Sequence, residues 1–164
     1  MKISFSSQRL VVSLIKGGAL IDPAAITEIL SQKATAHLPD SWQNISDEQL
    51  ANAWLKERLT EGQVYGITLK DSQSLIGFLF LYGMSFDDKE IRIGYVLSES
   101  HWGKGLATEL INGLIVESKK QDNIATLVGG VSRNNMASAK ALTKNGFTLV
   151  SVEQDTEYYQ YRFE

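Results

Sequence analysis

The chain has 164 residues, 43% of them hydrophobic and 21% charged, with a formal net charge of −3. Those values exclude a disordered polymer, and the negative balance argues against a protein that grips nucleic acid through its phosphates. With no cysteine, disulfides, thiolate catalysis and Cys-ligated metals are excluded as well.

No apolar run approaches the roughly 18 residues that span a bilayer. Met1 to Arg9 is polar and lacks the apolar segment of a signal peptide. We therefore expect a single domain over 1–164, without membrane or nucleic-acid partners. A reducing cytoplasm is the simplest compartment, although a cysteine-free chain suits any.

In chain order, Arg9 to Ile15 is apolar and reads as a first strand. Asp22-Pro23 opens a helix, Asp as cap and Pro at the first position, and Ile26, Ile29 and Leu30 follow at helical spacing. Ser46 and Gln49 have capping-box spacing ahead of a second helix, whose apolar face is Leu50, Trp54, Leu55 and Leu59. After Gly62, Val64 to Leu69 and Leu75 to Tyr82 are strands joined by a polar turn. Phe86 to Lys89 reads as another turn. Glu90 to Leu97 is a fourth strand with Ile91, Ile93 and Tyr95 on one face. Gly103 to Lys119 is an amphipathic helix with a Leu106, Leu110, Leu114, Ile115 stripe. Ile124 to Val131 is a buried strand, and Asn135 to Asn145 a helix ended by Gly146. Phe147 to Val152 and Glu157 to Phe163 are final strands around an Asp155 turn. Short turns predict antiparallel pairing among the early strands, and the strand–helix–strand after Glu90 predicts a parallel crossover.

The stretch Tyr95-Val96-Leu97-Ser98-Glu99-Ser100-His101-Trp102-Gly103-Lys104-Gly105-Leu106-Ala107-Thr108 carries the most information. A strand ends, a loop carries Gly-Lys-Gly, and a helix begins. The first amides of a helix lack intrahelical partners and attract anions such as a pyrophosphate. Gly103 and Gly105 let backbone approach phosphate closely, and Lys104 offers a point charge or a solvated side chain. The P-loop pattern fails because Leu106, not Lys, follows Gly105. The dinucleotide pattern fails because Thr108 stands where a third Gly is needed. Taken alone, the loop fits phosphate binding and plain turn chemistry equally well.

Its surroundings separate the two. Ile93-Gly94-Tyr95-Val96-Leu97 followed by Trp102-Gly103-Lys104-Gly105-Leu106-Ala107-Thr108-Glu109 resembles the central motif of the GNAT acetyltransferases. It is most similar to the branch of the ribosomal-protein N-terminal acetyltransferases. Asn135-Met136-Ala137-Ser138 and Lys144-Asn145-Gly146-Phe147 resemble that branch's second motif.

The resemblance implies an α+β fold: a mixed, mostly antiparallel sheet of about seven strands with about four helices, splayed between its fourth and fifth strands. It implies acetyl-CoA as co-substrate, no metal, and an amine acceptor. The backbone of Val96, Leu97 and Ser98 would pair with the pantetheine arm. Trp102 and the amides of Gly103, Lys104, Gly105, Leu106, Ala107 and Thr108 would cradle the pyrophosphate. Asn135 would bond the pantetheine or nearby cofactor atoms, and Ser138 would lie near the sulfur. The chain departs from the family at Ser100, where Gln or Arg is common. Arg92 stands where the branch often has Glu. Leu142 replaces the Tyr that protonates the leaving thiolate in many members, so Ser138 or water takes that part.

Direct attack by an amine needs a lost proton, an oxyanion donor and a protonated leaving thiolate. Glu90 shares strand parity with Arg92 and Gly94 and is the candidate base, directly or through water; otherwise it is a solvated strand-end carboxylate. The amide of Val96 or Leu97 is the candidate oxyanion donor. A Lys amine with pKa about 10.4 is roughly one part in 2500 neutral at pH 7, an α-amine about one-tenth. A weakly defined base therefore fits an α-amine acceptor, a protein or peptide N-terminus. The alternatives are a small amine (polyamine, amino acid or aminoglycoside) and a non-catalytic acyl-CoA-binding module. The oligomeric state is monomer or homodimer. Asp87, Asp88 and Glu90 form an acidic cluster that would attract a cation or simply be solvated. His101 and the two tryptophans Trp42 and Trp54 read as packing residues first, as do most of Tyr158, Tyr159 and Tyr161, of which one is a candidate to reach the acceptor.

Overall fold

A computed structural model describes residues 2–83 and 89–164, so the turn expected over Phe86 to Lys89, with Asp87 and Asp88, lies largely outside the described residues. Eight strands form one sheet in the order β1-β2-β3-β4-β5-β6-β8-β7. In chain order they are β1 Phe5–Ser6, β2 Leu10–Leu14, β3 Gln63–Leu69, β4 Leu75–Tyr82, β5 Glu90–Leu97, β6 Thr126–Ser132, β7 Thr148–Glu153 and β8 Thr156–Arg162. The helices are α1 Pro23–Ile29, α2 Glu48–Glu61, α3 Leu106–Ser118 and α4 Met136–Lys144. This is the mixed α+β sheet expected, with the fourth and fifth expected strands now β5 and β6. The extra strand is β1. Its polar sequence carries no strand signal, and it forms because Phe5 and Ser6 pair with Val12 and Val11. Among the described residues no helix is long and apolar enough to cross a membrane.

Strand alternation sorts the core into two layers. On β4, Leu79 and Leu81 join Ile91, Ile93 and Leu97 of β5 under α3 and α4. Phe78 and Phe80 face the other way, with Val96, under α1 and α2. Covered on both faces, β4 reads Leu-Ile-Gly-Phe-Leu-Phe-Leu-Tyr, a nearly continuous apolar run. Trp42 and Trp54 lie in the second layer, 5.3 Å apart edge to face, and Trp42 stands 4.8 Å from Phe80. They are core residues, and Arg58 stacks its guanidinium 5.3 Å from the Trp42 ring.

The α2 cap corrects the capping-box reading. Asp47, not Ser46, accepts the Leu50 N–H at 2.8 Å, so the helix starts one residue later. The buried face of α2 is Ala51, Trp54, Leu55 and Arg58, while Leu50, expected on that face, is exposed.

Gly77 on β4 faces Leu97 of β5. A Cβ there would run into the Val96 carbonyl oxygen and come within 2.8 Å of Leu97 Cδ2. Gly77→Ala must push β5 away from β4. We expect a loss of about 3 kcal/mol, read as a fall of about 10 °C in Tm for a chain of this size.

Candidate functional site

Beyond one register position, the centre of the sheet comes apart. β5 and β6 run parallel and pair from Glu90↔Thr126 to Ile93↔Gly129, and there the pairing stops. Both strands continue, β5 to Leu97 and β6 to Ser132. A cleft therefore opens from Gly94 onward, between β5 on one side and β6, covered by α4, on the other.

The register with β4 decides which backbone groups face that cleft. Ser98 N–H donates to the Ile76 carbonyl at 2.7 Å. In an antiparallel ladder the hydrogen-bonded setting recurs at every second pair. It therefore falls on Phe78↔Val96 and Phe80↔Gly94. Tyr95 and Leu97 consequently turn their N–H and C=O groups away from β4, into the cleft. Of the expected set Val96, Leu97 and Ser98, the register turns only Leu97 toward the cleft. Val96 and Ser98 are committed to the sheet, and the Ser98 carbonyl also accepts the His101 N–H at 2.9 Å. Tyr95 and Leu97 present the strand-like edge. The Leu97 carbonyl is taken by the Trp102 indole N–H at 2.9 Å, which ties the loop to the end of β5. Of the two candidate oxyanion donors, the register favours the Leu97 amide over that of Val96.

The loop then turns through two left-handed residues, Gly103 with φ 71° and Gly105 with φ 76°. Only glycine adopts these angles without strain. Gly105 is the α3 cap and supplies no side chain, so the first-turn amides of Leu106, Ala107 and Thr108 have no side-chain cap. Around Gly103 the space a Cβ would occupy is empty, and around Gly105 its nearest neighbour is Arg9 Nη2 at 3.6 Å. An open, glycine-lined cradle on a helix N-terminus fits a diphosphate. The Leu106 side chain is buried, so that residue can contribute only its amide. Lys104 keeps an exposed side chain, while its carbonyl accepts from Arg9 Nη1 at 2.9 Å.

That last contact belongs to a brace invisible in the sequence. Glu109 Oε1 accepts from Ser7 Oγ and from the Arg9 N–H, both at 2.7 Å, and Oε2 accepts from Arg9 Nε at 2.7 Å. Desolvation alone would raise the Glu109 pKa, but the Ser7 and Arg9 hydrogen bonds and the Arg9 charge together hold it below its ordinary value. A carboxylate at the first turn of a helix is legible in sequence; an Arg a hundred residues earlier is not. Arg9 is itself half exposed, so its Coulomb share is screened, and the hydrogen bonds carry most of the effect.

We expect Glu109→Gln to cost about 2 kcal/mol at pH 7. Because the folded pKa is depressed, this contribution is complete above the ordinary carboxylate value and is lost as pH falls through the folded one. Urea melts of the two proteins should differ at pH 7 and converge as the pH falls below the ordinary carboxylate value and through the folded one.

On the far wall of the cleft, Asn135 caps α4, its Oδ1 accepting the Ser138 N–H at 3.2 Å. One lone pair of the Asn135 oxygen thus serves the helix, while its other lone pair and the Nδ2 hydrogens remain for a ligand. Ser138 Oγ lies 2.8 Å from Tyr95 Oη, so β5 and α4 touch across the cleft. Glu90 is not part of this group. It is exposed, still paired with Thr126, and four residues before Gly94, about 13 Å along the strand. His101 Nδ1 packs against Ser98 Oγ at 3.2 Å and Ser100 Oγ at 3.1 Å. Tyr159 is buried and donates to Glu157 at 2.7 Å.

The chain is 29% identical over 116 residues to the uncharacterized N-acetyltransferase YoaA of Bacillus subtilis (strain 168), a match covering 71% of this chain and 64% of that protein. It thus spans less than two thirds of that relative's length. The structure resembles RimL, a ribosomal L7/L12 alpha-N-protein acetyltransferase in complex with coenzyme A, with TM-score 0.74, 20% identity and 95% of each chain covered. It also resembles the spermidine N-acetyltransferase from Vibrio cholerae in complex with CoA and spermine, with TM-score 0.74, 15% identity and coverage of 93% and 95%. The family model for the acetyltransferase (GNAT) domain matches residues 19–148, well over half of the sequence, and the chain belongs to the GNAT acetyltransferase family.

Proposed function

We propose that this chain transfers an acetyl group from acetyl-CoA directly to a primary amine, the α-amine of a protein or peptide N-terminus. The observation that carries the reading is the parting of β5 from β6 after Ile93↔Gly129, beside an α3 N-terminus that no side chain caps. Acetyl-CoA supplies a thioester already activated toward amines. The amides of Gly103 to Thr108 hold its diphosphate. Tyr95 and Leu97 offer the cleft-facing backbone edge for the pantetheine amides. The Leu97 N–H, aimed into the cleft, stands where an oxyanion needs a donor. Ser138 presents a hydroxyl on the opposite wall. As the amine nitrogen bonds to the acetyl carbon it sheds a proton to water, and as the carbon–sulfur bond breaks Ser138 O–H gives its proton to the sulfur and takes one back from water.

The acceptor reading rests on what stands near that hydroxyl. Among the described residues, neither Tyr95 nor Ser138 has a carboxylate as side-chain partner. Glu90, about 13 Å along the strand from Gly94, is out of direct reach. An acceptor that is already about one-tenth neutral at pH 7 asks least of such a site. The likeness to RimL runs the same way. The likeness to the spermidine enzyme favours a second reading, a small polyamine acceptor. A thiol-release assay with acetyl-CoA separates them: α-amine peptides should turn over faster than Lys peptides blocked at the N-terminus and faster than polyamines. Preference for a polyamine would replace the first reading with the second. Binding of acetyl-CoA without turnover on any amine would leave an acyl-CoA-binding module.

A further inference from the structure

Tyr95 is a residue for which neither the motif nor the spacing announces a part. It sits on β5 just past the last β5–β6 pair, and its side chain packs on the α3/α4 side of the sheet. From there it spans the opening and meets Ser138 Oγ at 2.8 Å. We infer that Tyr95 is a positioning residue: its phenol donates to Ser138 Oγ and so leaves the serine hydrogen free to aim at the leaving sulfur. The inference rests on the acetyl-transfer reading above.

The direction of the bond follows from chemistry. A phenol is a better donor than an alcohol, and a serine oxygen is a good acceptor. Burial raises the Tyr95 pKa, only partly offset by the Ser138 contact, so the phenol keeps its proton and must place it somewhere. Ser138 Oγ is its hydrogen-bond partner among the described side chains. With its oxygen accepting from Tyr95, Ser138 has one hydrogen to give. The Asn135 cap fixes the backbone beneath it, since Asn135 Oδ1 holds the Ser138 N–H at 3.2 Å. Two walls of the cleft thus converge on one hydroxyl. The proton delivered to sulfur comes from Ser138, and in the same step water passes the proton shed by the amine to the serine oxygen, so neither a serine alkoxide nor a tyrosinate is left behind.

The test is a double-mutant cycle with one spectroscopic readout. Tyr95→Phe keeps the ring and removes the donor. We expect its kcat to fall about tenfold with the KM for acetyl-CoA unchanged, the size of one lost oriented hydrogen bond. In the Ser138→Ala background the same change should cause no further fall, because there is no hydroxyl left to orient. In the free protein, proton NMR should show a protected hydroxyl resonance from Tyr95 with a through-space contact to the Ser138 β-protons. It should be absent in Tyr95→Phe and lost to exchange in Ser138→Ala.

Equal slowing by Tyr95→Phe in both backgrounds would make Tyr95 an independent contributor and overturn the inference. So would a protected resonance that survives in Ser138→Ala, or a Tyr95→Phe enzyme as fast as wild type. An active enzyme indifferent to Ser138→Ala would instead remove Ser138 as proton donor. A folded chain that turns over no amine would remove the parent reading, and this inference with it.

Discussion

Gly105→Val should raise the Kd for acetyl-CoA about 10- to 100-fold while leaving a folded protein. Gly105 holds φ 76°, a region in which a β-branched residue is strained by about 1–3 kcal/mol. The loop can relieve that strain only by turning its amides, and the amides are what an anion would bind. The space beside Gly105 is also open in the protein, with Arg9 Nη2 at 3.6 Å as the nearest neighbour of a Cβ, so the valine methyls would occupy room left for the ligand. Titration calorimetry with acetyl-CoA reads the effect, and circular dichroism checks the fold. An affinity equal to wild type in a folded variant would mean that the loop binds nothing. Gly105→Ala should fall between the two, carrying the strain with less bulk.

Ser138→Ala is expected to lower kcat by about 10²-fold with little change in the KM for acetyl-CoA. Positioned proton donors are worth about 10² to 10⁴ in rate, and an alcohol that water can partly replace belongs at the low end. The substitution removes no cap, because Asn135 Oδ1 binds the Ser138 backbone N–H rather than the side chain. α4 should therefore stay in place, and Tm should move by no more than a few degrees. A loss confined to KM would assign Ser138 to binding; an unchanged kcat would mean that the thiolate takes its proton from elsewhere.

The elements of this fold were legible where a periodic pattern met a chemical stop. Asp22 and Pro23 open α1 as read, and Gly146, with φ 88°, follows α4 as read. β1 was missed because two residues with no apolar alternation become a strand only by pairing with β2. The cap of α2 slipped by one residue because Ser46 and Asp47 are both good capping residues, and only geometry chooses between them.

The glycine loop was legible for a physical reason: left-handed backbone favours glycine, which has no Cβ to strain it. What the strand offers was not. Placing the cleft-facing amides on Tyr95 and Leu97, rather than on Val96 and Ser98, needs the β4 register, and a one-residue choice of register cannot be read from an apolar run. The Arg9–Glu109 brace joins residues a hundred positions apart, and Tyr95 meets Ser138 across 43. Both are products of the topology, which sets the turn between β1 and β2 against the start of α3 and brings Ser138 of α4 to Tyr95 of β5.

The central claim is that a diphosphate rests on the amides opening α3 while the attached arm enters between β5 and β6. The most direct measurement is a crystal structure of the protein soaked with coenzyme A. The account predicts phosphate density against the amides of Gly103 to Thr108 and the pantetheine alongside Tyr95 and Leu97, its sulfur near Ser138 Oγ. Coenzyme A seated anywhere else on the molecule, or absent at saturating concentration, would contradict it.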